Sequence, residues 1–123
     1  MIDIFNPSDE HKALREMIRK FSENEVLEQA IEYDREERFN LGLFKKIGDL
    51  GILGVTVSEE WGGAGLDAIA ATIVHEELSA ADPGFCLAFL AHSMLFANNL
   101  ALNGSDAQRT KYLPRACSGE IIG

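Results

Sequence analysis

From residue 85 to residue 102 the chain carries no charged side chain. Something must cover a stretch like that, and the need to cover it constrains the rest of the fold. Its polar interruptions are His92, Ser93, Asn98 and Asn99. With them it is too short and too polar for a membrane-spanning helix, which needs about 20 mostly apolar residues. It reads as a helix buried on nearly all sides, with other helices packed around it. The 123 residues fit one domain, and at that size roughly two-thirds of the unfolded surface can be buried.

The helices around it are punctuated by their own end signals. Ser8 is a good N-cap, and Asp9 and Glu10 follow in the first turn, where acids suit the helix dipole. Leu14, Met17, Ile18 and Phe21 then recur at helical spacing. The apolar phase slips near Val26 and Leu27 and resumes at Ala30 and Ile31, so a kink or a second short helix is expected there. The charged residues 32–38 read as a solvated surface. Asn40 can cap a short helix with Leu43, Phe44, Ile47 and Leu50 on its apolar face, and Gly51 stands where a left-handed C-terminal residue is wanted. Ile52, Leu53, Val55 and Val57 read as an extended segment, and a glycine-rich loop follows. Asp67 caps a helix whose inward face is Ala70, Ile73, Val74, Glu77 and Leu78. Pro83 and Gly84 end it and start the apolar helix, which Gly104 stops. Ser105 with Gln108 forms a capping box for a last helix carrying Tyr112 and Leu113. Pro114 is expected to break or bend that helix. The fold class is all-α, an orthogonal or up-down bundle of five or six helices.

Charge and cysteine usage exclude some roles. Twenty acids against eleven Lys and Arg give a net charge of −9. Such a chain is a poor partner for nucleic acid or anionic lipid, where binding is driven by cations replacing counterions. Phosphates of a small ligand should likewise be held elsewhere. Cys86 and Cys117 sit in apolar, helix-like surroundings and read as buried free thiols, which suggests a reducing compartment. Met1, Ile2, Asp3, Ile4 and Phe5 show neither a basic flank nor a long apolar run, so no signal peptide is read there.

Candidate chemistry is sparse. Gly63-Ala64-Gly65-Leu66-Asp67-Ala68 matches the letters of a dinucleotide-binding loop. It fails as one, because Asp67 puts a carboxylate where a pyrophosphate would sit, and residues 58–62 separate the glycines from the preceding segment. His11, His75 and His92 are not spaced as metal pairs. The first two read as surface residues and His92 as a hydrogen-bonded core residue. No serine stands in a nucleophile elbow. Glu76, Glu77 and Glu120 could serve as acid–base groups, but nothing in the sequence pairs them. Asp106, Arg109, Lys111 and Arg115 read as a solvated mixed-charge face. On the apolar helix Leu87, Ala91 and Leu95 recur four apart with Ala88 beside them. That pattern suits plain core packing, and it also suits a narrow apolar slot.

Several segments taken together resemble the acyl-CoA dehydrogenase family. They are Leu43-Phe44-Lys45-Lys46-Ile47-Gly48-Asp49-Leu50-Gly51-Ile52-Leu53-Gly54, then Val57-Ser58-Glu59-Glu60-Trp61-Gly62-Gly63-Ala64-Gly65-Leu66-Asp67, then Glu76-Glu77-Leu78-Ser79-Ala80-Ala81-Asp82. Lys111-Tyr112-Leu113-Pro114 and Ser118-Gly119-Glu120-Ile121-Ile122-Gly123 complete the set. Their order resembles the N-terminal helical domain of that family over nearly the whole chain. Ala91-His92-Ser93 with Asn103-Gly104 is most similar to the isovaleryl or other short-chain branch. Prolines common in the family near Glu28 and at Asn40 are absent here.

The resemblance implies a parent enzyme that desaturates acyl-CoA thioesters at the α,β bond with FAD and passes electrons to an electron-transfer flavoprotein. It implies a middle β domain carrying most flavin contacts and a last helical domain carrying the proton-abstracting glutamate, neither of which residues 1–123 supply. The 123 residues alone are therefore expected to be inactive and to hold no stoichiometric FAD. By the same resemblance Leu87, Ala88, Ala91 and Leu95 would face the acyl tail, with no catalytic, flavin-binding or metal-binding residue on this chain. It places the protein in the cytoplasm, or in the mitochondrial matrix of a eukaryote, without membrane insertion. A different reading of the same helices is a non-enzymatic interaction module whose exposed apolar face drives self-association.

Overall fold

The computed structural model describes Met1 and residues 3–123; Ile2, one of the residues read for a leader, lies outside the described residues. The described residues contain no strand and form five unbroken helical runs with one short 3₁₀ turn, Glu59–Trp61. They fold as two compact units: Met1–Asn40 with Ala68–Leu87, and Leu41–Asp67 with Ala88–Gly123.

In the first unit, α1 (Asp9–Phe21) starts where the sequence puts it, with Ser8 Oγ accepting the His11 N–H at 3.2 Å. A π-turn, Ser22–Val26, joins α1 to α2 (Leu27–Arg35) without a break. Its wider ladder, Leu27 N–H to Ser22 C=O, takes up the slip in apolar phase that the sequence shows at this point. The inward side therefore runs Ile18, Ser22, Val26. Past it the apolar stripe fails, because Ile31 is exposed and no residue of α2 is buried. The surface reading of 32–38 holds, with only Tyr33 half-buried. Helix α4 (Ala68–Ala81) buries the expected face of Ala70, Ile73, Val74, Glu77 and Leu78. Asp82 then caps α5 (Pro83–Leu90), its Oδ1 accepting the Phe85 N–H at 3.0 Å, with Pro83 as first residue.

In the second unit, α3 (Leu41–Asp49) buries Leu43, Phe44 and Ile47 and ends at Gly51, whose φ is +78°. There the Ile52 N–H reaches the Ile47 carbonyl at 3.4 Å, a six-residue closure that suits a left-handed glycine. Ile52, Leu53, Val55 and Val57 are buried as an apolar run should be, but they are not extended. No neighbouring strand offers them a ladder among the described residues. The backbone closes on itself in turns instead, for example Val57 N–H to Gly54 C=O at 3.0 Å. The apolar helix continues from α5 as a π-wound stretch, Ala91–Asn98, and then α6 (Asn99–Asn103). Gly104 stops it, and Ser105 and Gln108 form the expected capping box at the start of α7 (Asp106–Ser118). Pro114 does not break α7. It and Thr110, whose carbonyl it leaves without a helical N–H, are both exposed, so water can satisfy that group.

The apolar helix departs from expectation in two ways. It runs from Pro83 to Asn103, 21 residues, long and apolar enough by length and composition to cross a membrane. It is also not buried on nearly all sides. Phe89, His92, Ser93 and Ala97 are buried, whereas Leu87 and Leu95 are each 65% exposed and Leu102 71%. The apolar composition therefore serves two sides, and the outer one meets solvent in this chain.

Candidate functional site

The four side chains singled out by sequence lie along the unbroken helical run from Pro83 to Asn103, which Asp82 caps. Leu87, in the first unit, is exposed. In the second unit Ala88 and Ala91 are half-buried and Leu95 is exposed. None of the four is core, so the packing explanation of their spacing fails for the two leucines. The π winding over Ala91–Asn98 also means that four-residue spacing does not return to the same face as it would in an α-helix. Leu95 borders a shallow depression of about 290 Å³ with Phe96, Asn99, Leu100, Asn103, Gly104 and Gln108.

The glycine loop is closed to phosphates by its own hydrogen bonds. Gly63 N–H donates to Ser58 C=O at 3.1 Å, Ala64 to Gly54 at 2.9 Å, Gly65 to Val57 at 2.8 Å and Leu66 to Val55 at 2.9 Å. A cradle needs those N–H groups free. Glycine is required here by close approach, since a Cβ on Gly63 would lie 2.0 Å from the Val57 carbonyl oxygen.

The acidic candidates have partners that the sequence did not suggest. Glu77, 7% exposed on the inner face of α4, accepts from Arg15 Nη1 at 2.8 Å, from Arg19 Nη2 at 2.8 Å and from Arg19 Nε at 3.0 Å. Arg15 also reaches Glu76 Oε2 at 2.8 Å and Asn6 Oδ1 at 2.6 Å. Hydrogen bonds from Arg19, then from Arg15, hold the Glu77 carboxyl below its ordinary range against the opposing effect of burial. A carboxylate held ionised by two arginines is a clamp between α1 and α4, not a general base. Glu120 pairs with Arg115 at 2.8 Å on the surface. Arg109 is half-buried and donates to the Ala101 carbonyl at 2.8 Å, so that face is less solvated than its charges suggest.

His92 is the hydrogen-bonded core residue the sequence reading expects, fully buried with Nε2 2.8 Å from the Ala116 carbonyl oxygen. Burial lowers its pKa, and the Ala116 bond opposes that. His11 and His75 are half-buried, not surface residues, since each ring packs on its own helix and hydrogen-bonds to Ser8 Oγ or to the Ala71 carbonyl. Cys86 and Cys117 are buried free thiols, and burial pushes Cys117 up to about 11. No group of three or more potential ligands that could hold a metal occurs among the described residues.

A helical chain with no strand among its described residues and an uncharged, half-exposed helix has clear counterparts among known proteins. Residues 8–120 match the family model described as the acyl-CoA dehydrogenase N-terminal domain. The chain belongs to the acyl-CoA dehydrogenase family. Its sequence is 42% identical over 118 residues to the mitochondrial isovaleryl-CoA dehydrogenase of Pongo abelii, covering 94% of this chain and 28% of that protein. It is 40% identical over 119 residues to the short-chain specific acyl-CoA dehydrogenase of Clostridium acetobutylicum, covering 97% and 31%. The solved acyl-CoA dehydrogenase of Bacillus anthracis, complexed with FAD, superposes with a TM-score of 0.81 at 36% identity, covering 94% of this chain and 20% of that one. This acyl-CoA dehydrogenase N-terminal domain thus spans about three-tenths of the length of the curated relatives it matches.

Proposed function

We propose that this domain forms the acyl-side wall of an FAD-dependent enzyme that desaturates acyl-CoA thioesters at the α,β bond, with Leu87, Ala88, Ala91 and Leu95 facing the acyl tail. The observation that carries this reading is that Leu87 and Leu95 are 65% exposed on a helix with no charge from Pro83 to Asn103. An outward hydrocarbon face on a chain of net charge −9 suits an alkyl ligand and not its phosphates. Its work is to exclude water from the reacting carbons and to sort tails by shape. One methylene in such a pocket is worth about 1–3 kcal/mol. Likeness to isovaleryl and short-chain enzymes favours short or branched acyl groups.

The residues present do not fit FAD. The loop N–H groups that could cradle a pyrophosphate already bond to carbonyls, and Asp67 directly precedes α4. Flavin and CoA phosphates therefore belong to a middle β domain, and the proton-abstracting carboxylate to a last helical domain. Electrons pass to an electron-transfer flavoprotein, and the setting is the bacterial cytoplasm or the mitochondrial matrix. A chimera joining residues 1–123 to the remaining domains of an isovaleryl-CoA dehydrogenase should bind flavin and oxidise isovaleryl-CoA. Leu95→Ala in it should change the KM ratio of isovaleryl-CoA to a longer acyl-CoA by about 10-fold or more. An unchanged ratio, or stoichiometric flavin on the 123-residue chain alone, would refute the assignment. The same exposed leucines favour a second reading, a self-associating helical module, for which light scattering would show a concentration-dependent dimer whose formation Leu95→Ala abolishes.

A further inference from the structure

In the second unit the turn after α7 is tied back at two places. Gly119, with φ +79°, closes α7, and the Glu120 and Ile121 N–H groups both donate to the Arg115 carbonyl, at 2.9 and 3.3 Å. The second tie is the Gly123 N–H, which donates to His92 Nδ1 at 3.2 Å. A Cβ on residue 123 would lie 2.1 Å from Cδ1 of Phe96, so the backbone of Gly123 lies directly on that ring.

The two bonds of His92 specify one protonation state. Ala116 offers a carbonyl, an acceptor only, so Nε2 carries the hydrogen. Gly123 offers an N–H, a donor only, so Nδ1 must be bare. A second proton on the ring would set one donor against another at Nδ1. We propose that His92 is a protonation-gated pin: as the neutral Nε2–H imidazole it holds the segment 119–123 against the unit, and as the imidazolium it lets Gly123 go. Among the described residues, the groups recorded against the ring are uncharged. Helix α3 contributes the edge of Phe44, at 5.3 Å between centroids, α7 contributes the Ala116 carbonyl, and its own helix contributes Phe96 at 6.0 Å. Burial and that one carbonyl bond are what shift its titration. The pin is independent of the acyl-wall reading, because it uses only backbone and ring atoms of the second unit.

The test is NMR on the 123-residue chain. At pH 8, long-range proton–nitrogen correlation should find Nε2 protonated and Nδ1 bare. Between pH 8 and 5 the His92 ring, the Gly123 amide shift and the Gly123 exchange protection, corrected for intrinsic rate, should follow one curve. Protection should fall by about tenfold while amides 113–116 stay unchanged. His92→Asn, whose Oδ1 replaces Nδ1, should keep the protection with no step. His92→Gln, which replaces only the Nε2 donor, should lack it at pH 8. Gly123→Ala, which leaves the buried ring untouched, should lose it at every pH. A protonated Nδ1 at pH 8, or a Gly123 step that survives in His92→Asn, would overturn the proposal.

Discussion

The clamp at Glu77 is the most consequential polar feature of the first unit, and Glu77→Gln tests it. Glutamine keeps the shape and one acceptor oxygen but removes the charge. Two arginines then remain, and they are not equally affected. Arg19 is 55% exposed on its side chain, so its loss is that of a solvent-screened surface pair and adds little. Arg15 is 14% exposed and keeps Glu76 and Asn6, so it is left partly satisfied. A charge-assisted bond is worth about 1.5–3 kcal/mol, and the full loss of a buried ion's partner about 3–5 kcal/mol. With Gln accepting one bond and Arg15 retaining Glu76, Asn6 and the Phe5 carbonyl, the expected cost is about 2–3 kcal/mol. For a chain of 123 residues that lowers Tm by about 10 °C, measurable by calorimetry or circular dichroism at pH 7.

The pH dependence separates charge from shape. The folded Glu77 carboxyl lies below its ordinary 4.5 because the arginines favour the anion. Its contribution is therefore fully present above the unfolded value and is lost as pH falls through the folded one. Wild type and Glu77→Gln should thus differ most at neutral pH and converge as pH falls past the unfolded value and through the lower folded one. If the Tm difference is under about 2 °C, or stays constant from pH 7 to pH 3, the clamp is not electrostatic.

Gly54→Ala should cost about 1–3 kcal/mol, because its Cβ would fall 2.4 Å from Cys117 Sγ in the core of the second unit. In a double-mutant cycle with Cys117→Ala the two changes should couple by at least about 1 kcal/mol, and simple additivity would count against that contact. Ser93→Ala should raise stability by about 1 kcal/mol, because its buried hydroxyl has no partner; a loss of that size in urea unfolding would show the group is satisfied.

Much of the fold was legible because its signals are local. Ser8, Gly51, Gly104 and the Ser105–Gln108 pair each act within five residues, and each acts as its chemistry demands. The slip in apolar phase near Val26 was visible too, although a π-turn absorbs it where a kink or a new helix was the expectation. What failed depends on partners remote in sequence. Glu77 meets arginines 58 and 62 residues away. The available hint was a carboxylate on an otherwise apolar face, with Arg15 and Arg19 four apart on another helix. Residues 52–57 have the composition of a strand but no strand to pair with. The exposure of Leu87 and Leu95 was likewise hidden, because composition says that a helix needs cover and not which side receives it.

That last point explains how one helix can hold a fold and still be free to specialise. Its inner side is fixed: Phe89 is fully buried, and truncating such a ring costs about 3–5 kcal/mol. His92 is fixed more tightly, by two hydrogen bonds that admit one tautomer. Its outer side is not. Full burial of a leucine is worth about 1.5–3 kcal/mol, and Leu95 keeps only about a third of its surface from water, so changing it forfeits about 0.5–1 kcal/mol at most. On the acyl-wall reading proposed above, a change that small in stability would accompany a discrimination of about 1–3 kcal/mol per methylene. On that reading, selection on tail shape would act at positions 87 and 95 almost independently of folding. At positions 89 and 92 it cannot.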